Sequence, residues 1–280
     1  MKFMFSFLST YHLLILVFIF GAIIGSFLNV VIYRLHTGRN LSGHSHCLSC
    51  GTNLRWYHLF PLFSYLFLRG RCQFCTALIS VRYFVVELIT AILFTLGVMT
   101  NLITDLKTFI LYGLIFSVLV IITVYDFNHF IIPDEMTLLL ILSTIILLLV
   151  KYQQGLLTIA DLKTDFLVAI IGTAFFGFLW LISKGEWLGL GDVKLAFPLG
   201  LLVGYKLVFS FIVVSFWLGA IISLLMIYLT SLIVRGKTHL PNSHKTLTMK
   251  SAVPFAPFLV LGSLLTLFTD INVLSLFSFV

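Results

Sequence analysis

Residues 13–32 form a run of 20 with no charged side chain, and comparable apolar runs recur to the end of the chain. About 20 such residues are what a helix needs to cross the ~30 Å hydrocarbon layer of a bilayer. Lipid offers no hydrogen-bond partners to a backbone, so a spanning segment must satisfy its own, and a helix does. Further runs lie at 81–100, 108–125, 136–150, 166–182, 192–203, 209–234 and 252–268. Only 10% of the residues are charged and 60% are hydrophobic, where a soluble domain carries roughly a quarter charged residues. The expectation is an all-α polytopic integral membrane protein with about eight transmembrane helices. The first run exceeds the 7–15 residues of a signal-peptide core, and Gly25-Ser26 is the one weak candidate for a cut. It is read as a retained first helix.

The formal net charge is +7, yet the basic residues are spread over the loops between apolar runs. That distribution fits membrane topology rather than nucleic acid, which is excluded as a partner; the lipid bilayer is the expected one. With 34–82 placed in the cytoplasm, the cytoplasmic side collects Arg34, Arg39, Arg55, Arg69, Arg71, Arg82, Lys184, Lys194, Arg235, Lys237, Lys245 and Lys250. The outer side keeps Lys2, Lys107, Lys151, Lys163 and Lys206. This asymmetry is the positive-inside pattern.

Residues 36–82 form the one sizeable polar segment, and all four cysteines fall in it: Cys47-x-x-Cys50, 21 residues, then Cys72-x-x-Cys75. Two such knuckles make a tetrahedral thiolate site for zinc. Four thiolates leave no open position for water, so the metal is expected to be structural. Redox cysteines are the other reading, and His44 or His46 are alternative ligands. Within the segment, residues 56–68 are apolar but interrupted by Pro61. That stretch is too short to span and is expected to be re-entrant or interfacial. The domain division expected is 1–35 for the first helix, 36–82 for a small cytoplasmic zinc-binding insert, and 83–280 for the membrane core.

The ten carboxylates carry the chemistry. Asp126 closes one apolar run and Asp192 opens another, and a charge at membrane depth costs about 2.5–3.5 kcal/mol or more. The topology set by the basic residues brings both to the cytoplasmic end of their helices. Two such acids sharing a proton and activating one water is the arrangement of an aspartic protease. Gly189 and Gly191 clear side chains from beside Asp192, and Lys194 adds a nearby cation. Asp134 and Glu135, after Pro133, are read as helix-start electrostatics. Asn29, inside the first run, is read as an interhelical hydrogen bond, with proximity to a substrate helix as the alternative.

Tyr125-Asp126, the loop ending Ile132-Pro133-Asp134, and Gly189-Leu190-Gly191-Asp192-Val193-Lys194 together resemble the bacterial type IV prepilin peptidases, membrane aspartic proteases of the Gly-x-Gly-Asp class. Residues 25–35, the two Cys-x-x-Cys pairs, residues 79–83 with Glu87, and residues 253–258 are similar to further motifs of that family. Phe84 and Ala256 depart from it, standing where the family usually has Pro and Gly. The resemblance implies Asp126 and Asp192 as the catalytic pair. It implies prepilin or pseudopilin precursors as substrates, cut at the cytoplasmic face of the bacterial inner membrane. It also implies, in many members, methylation of the new N-terminus with S-adenosylmethionine; no residues are assigned to that cofactor. The competing readings are a presenilin-like or signal-peptide-peptidase-like protease, which lacks the four-cysteine insert, and a transporter whose acids bind ions.

Overall fold

The computed structural model describes residues 2–35, 37, 43, 45–235, 253–273 and 275. His36, Arg39, His44, Lys237, Lys245 and Lys250 lie outside them, as do the side chains of Lys2 and Arg235. Nine α-helices occur among the described residues: α1 (Lys2–Arg34), α2 (Phe63–Phe67), α3 (Val81–Met99), α4 (Leu106–His129), α5 (Asp134–Gln153), α6 (Ile159–Ser183), α7 (Leu190–Val203), α8 (Val208–Arg235) and α9 (Ala256–Thr269). No strand forms there, only the isolated antiparallel bridges His46–Asn53 and Arg71–Leu78. The all-α expectation therefore holds.

Six helices are long and apolar enough to cross a membrane: α1, α3, α4, α5, α6 and α8. The remaining two expected spans, α7 and α9, are helices of 14 residues each. At 1.5 Å per residue each is about 21 Å long, short of the ~30 Å layer. A multi-pass membrane protein follows; a count of eight crossings does not. The helix ends obey local chemistry. Ser80 caps α3 through the N–H of Arg82. Thr158 and Asp161 cap each other's backbone at the start of α6, a reciprocal pairing that satisfies two orphan donors. Pro133 sits just before α5, with Asp134 and Glu135 in its first turn, as the sequence suggests.

The contacts divide the chain into residues 1–124 and 125–280. In the first unit α1 packs along α3. A Cβ on Gly21 would come within 2.8 Å of the Ala91 Cα, and one on Gly25 within 2.7 Å of the Glu87 Cα. Only glycine admits that approach, which is how membrane helices gain packing energy where no hydrophobic effect drives them together. Asn29 donates to the Tyr83 carbonyl at 3.0 Å, so the interhelical reading of that residue is the observed one.

In the second unit α7 is the central element, packed by α5, α6, α8 and α9. Leu195, Leu199 and Leu201 are wholly buried and Pro198 sits inside the helix. A helix apolar all round belongs in the middle of a bundle, and there neighbours compensate the bond that Pro198 removes. Gly200 lets α6 approach, since a Cβ would meet Ala169 Cα at 3.3 Å. The two short helices are thus the buried pair, and the long ones supply the lipid-facing surface.

Candidate active site and metal centre

Both expected catalytic acids lie in the second unit. Asp126 is in the last turn of α4 and only 5% exposed. The helix ends where Phe130 turns left-handed (φ 54°) while its N–H still bonds the Asp126 carbonyl at 2.8 Å. Tyr125 is buried with its ring 4.4 Å from that of His129. Asp192 is the third residue of α7, 8% exposed, and its Oδ2 accepts the Gly189 N–H at 3.2 Å. The two carboxylates are close enough for their charges to act on each other.

Three contacts shape the surroundings. The N–H of Ala256 meets the Asp126 carboxylate. Ala256 is the first residue of α9, with Pro257 next, so this N–H is one of the orphan donors that every helix start offers. Each acid therefore sits at the positive end of a helix, Asp192 on α7 and Asp126 against α9. Second, Gly191 admits Ile132, whose Cβ would be 3.2 Å from a Cβ at that glycine. This seats the Ile-Pro-Asp loop on the start of α7. Third, Lys194 reaches Asp134 at 2.8 Å, so the cation beside Asp192 and the acid at the start of α5 are partners. Both ends are exposed, and such a pair contributes roughly 0.2–1 kcal/mol.

One oxygen is left over. Asp126 Oδ2 is buried and has no hydrogen-bond partner among the described residues. Buried polar atoms are nearly always paired, so an orphan needs a reason. A proton shared with Asp192, or a water between them, supplies one.

One more acid of this unit is buried and goes unmarked in the sequence pattern. Asp165, on α6, accepts the Tyr205 N–H at 2.7 Å, beside Gly204 at the end of α7. It ties α6 to the turn after α7; in the sequence it closes a polar stretch beside Lys163 and Thr164, and nothing there announces its burial.

The four cysteines converge as expected. Their sulfurs all lie within 4.8 Å of one another, with Cys47 and Cys75 at 3.8 Å. A tetrahedron with ~2.3 Å zinc–sulfur bonds has sulfurs about 3.8 Å apart, so the cluster fits that metal. The two knuckles repeat each other. Cys47 N–H bonds Thr52 O and Gly51 N–H bonds Cys47 O; Cys72 N–H bonds Ala77 O and Thr76 N–H bonds Cys72 O. The residue after each second cysteine is left-handed, Gly51 at φ 70° and Thr76 at φ 58°. The backbone N–H of Cys50 holds the Cys47 thiol below its ordinary value, that of Cys75 does so for Cys72, and Thr52 does so for Cys50. The N–H of Ala77 favours the Cys75 thiolate, but desolvation and the other three sulfurs push it up to about 12.

The bacterial peptidase A24 N-terminal domain model matches residues 19–101, and the type IV leader peptidase family model matches residues 113–224. A prepilin leader peptidase/N-methyltransferase of Vibrio cholerae is 34% identical over 209 residues, 71% of this chain and 80% of that one. The type 4 prepilin-like proteins leader peptide-processing enzyme of Escherichia coli is 36% identical over 207 residues, 66% of this chain and 74% of its own length. The chain belongs to the type IV leader peptidase family.

A third relative, the prepilin leader peptidase/N-methyltransferase of Myxococcus xanthus, is 31% identical over 223 residues, and the match spans 64% of its length. No solved structure matches. The leader peptidase family match contains Asp126 and Asp192, while the N-terminal match contains the four cysteines and Glu87. Family membership decides against the transporter reading and against the presenilin-like one.

Proposed function

We propose that the protein removes the leader of type IV prepilin or pseudopilin precursors, with Asp126 and Asp192 as the catalytic pair. The observation that carries the reading is the buried pair itself, two mutually interacting acids with one unpartnered oxygen. In the working form one acid is protonated and the other ionised. The ionised carboxylate takes a proton from a water, whose oxygen attacks the scissile carbonyl carbon. The protonated acid donates toward the carbonyl oxygen. Collapse of the tetrahedral diol breaks the C–N bond, and the leaving nitrogen takes a proton from the pair. One water is consumed, one carboxyl and one amine are released, and the dyad returns to its starting count.

Zinc, held by Cys47, Cys50, Cys72 and Cys75, is the structural metal of this reading; its charge stabilises four thiolates and folds the 47–75 segment. The second activity is methylation of the new N-terminal amine, with S-adenosylmethionine supplying the methyl group as a sulfonium. No strand–glycine loop–helix unit occurs among the described residues, so donor binding is not of the dinucleotide-fold kind. The inner membrane is the location, with the acids at the cytoplasmic face on the positive-inside argument.

Purified protein mixed with a prepilin precursor, followed by mass analysis of the product, tests both activities. Loss of the leader is expected, with the added mass of a methyl group when S-adenosylmethionine is present. An intact precursor after prolonged incubation overturns the reading.

A further inference from the structure

The segment between the two knuckles presents a face that no described residue of its own unit covers. Trp56 and Phe67 are 77% and 83% exposed, and Phe60, Phe63 and Leu66 are exposed beside them. An apolar patch of this kind on a folded surface marks an interaction site. It is also held in place. The Leu62 N–H, in a left-handed turn after Pro61, donates to Glu87 on α3 at 2.7 Å. His58, almost fully buried, joins Gln73 of the second knuckle through Nε2 and accepts the Arg55 N–H at Nδ1. The aromatic face is therefore fixed to both a spanning helix and the cysteine cluster. A cavity of about 490 Å³ opens on it, walled by Tyr57, Phe60, Phe63, Phe67 and Leu68.

The charge around this face is one-sided. Residues 1–86 contain no carboxylate at all, and Glu87 is the first in the chain. Arg55, Arg69 and Arg71 flank the aromatic stretch and are exposed. No acid of this segment exists to pair with them, so their counter-charge comes from outside it. We propose that residues 56–71 dock the cysteine platform onto the bilayer surface and that the partner is anionic phospholipid. Acyl chain enters the aromatic cavity, and the phosphate meets the arginines, whose planar fork matches its oxygens. Tryptophan and tyrosine settle at the membrane–water boundary for the same reason, an apolar ring with a polar edge. Arginines next to an anionic leaflet are attracted to it. A basic peptide is a poor alternative occupant, because the same arginines repel it.

The test uses the full chain with Trp180, Trp187 and Trp217 each changed to Phe, leaving Trp56 as the one tryptophan. It is placed in nanodiscs of phosphatidylcholine alone or with phosphatidylglycerol, each doped with lipid brominated near the headgroup end of the chain. Metal content equal to that of the parent shows that the knuckles are folded. The expected result is quenching of Trp56 at least twofold greater with phosphatidylglycerol than without it. Arg55→Gln/Arg69→Gln/Arg71→Gln is expected to remove that increment and leave metal content unchanged. Absence of quenching by brominated lipid overturns the proposal. Equal quenching in the two lipids overturns it too, since the arginines then have no lipid partner. A change in Trp56 emission on adding S-adenosylmethionine or prepilin peptide in detergent, with none on adding phosphatidylglycerol, assigns the cavity to those ligands and overturns it as well.

Discussion

Glu87 and Asp126 are both carboxylates buried in apolar helices, one in each unit, and they differ in what their oxygens meet. Glu87 accepts the Leu62 N–H and contacts the Ser26 hydroxyl. Asp126 takes the Ala256 N–H and leaves Oδ2 with no partner among the described residues. The first unit spends its acid on holding a turn to a helix. The second keeps an oxygen unspent next to another acid. Burial alone is common to both, so it does not set them apart; the unsatisfied atom beside a second titratable group does.

The largest effect is expected where the oxygen is unpartnered. Asp126→Asn and Asp192→Asn should each lower prepilin cleavage by ~10²–10⁴-fold or more, the range of a lost acid–base group. Glu87→Gln should keep cleavage within a few-fold, because an amide oxygen still accepts the Leu62 N–H. Matched initial rates on one precursor check this, and equal losses at all three positions would erase the distinction between the units.

Removing the metal comes next. Cys47→Ser with Cys50→Ser should release zinc and open the 47–75 segment to protease. Cleavage should drop on the order of tenfold through lost stability, and not vanish, because the acids lie in the other unit. Metal analysis paired with the cleavage rate reads this; a folded, metal-free variant with no cleavage at all would place the metal in the chemistry.

The pair should also set the pH profile. Below both apparent pKa values each acid is protonated and no base remains. Above both, each is ionised and no acid remains. Cleavage should therefore trace a bell whose limbs belong to the pair jointly. Asp126→Asn should abolish the bell along with activity, whereas Glu87→Gln should leave its limbs in place. A flat profile in the parent enzyme removes the dyad.

Smaller still is Asp134→Asn. It cuts the exposed Lys194–Asp134 pair, worth roughly 0.2–1 kcal/mol, so cleavage should fall no more than about fivefold. A loss as deep as that of Asp126→Asn would show that Asp134 belongs to the catalytic group.

The smallest effect lies within the first unit, between its knuckles. Gly51 and Thr76 occupy equivalent left-handed positions, and the threonine carries a cost of roughly 1–2 kcal/mol that glycine avoids. Thr76→Gly should slow zinc release to a chelator a few-fold, and Gly51→Thr should speed it by more. Identical release rates in the two variants would mean that the strain is absorbed elsewhere.

Much of this protein was legible in the chain because the relevant physics is local. Apolar runs of bilayer length, with Pro133 before one of them, announce helices through backbone satisfaction in lipid. The cysteine spacing announces a metal site, since a knuckle closes within six residues through its own backbone bonds. Asp126 and Asp192 stand out because charge at that depth is expensive. Residues 253–258 were legible only as a motif similar to the family's, and nothing in them says which acid the Ala256 N–H will meet.

The tertiary structure alone decided the rest. That α7 and α9 are short and buried, that Ala256 serves Asp126 while Gly189 serves Asp192, and that Ile132 occupies the gap at Gly191 all depend on contacts between residues far apart in the chain. Composition and spacing report the cost of placing a carboxylate in an apolar run. They do not report which of its oxygens finds a donor, because the donor is supplied by whichever helix end the packing brings alongside. Glu87 and Asp126 look alike as letters in such a run, and only the packing satisfies one and leaves the other an oxygen to work with.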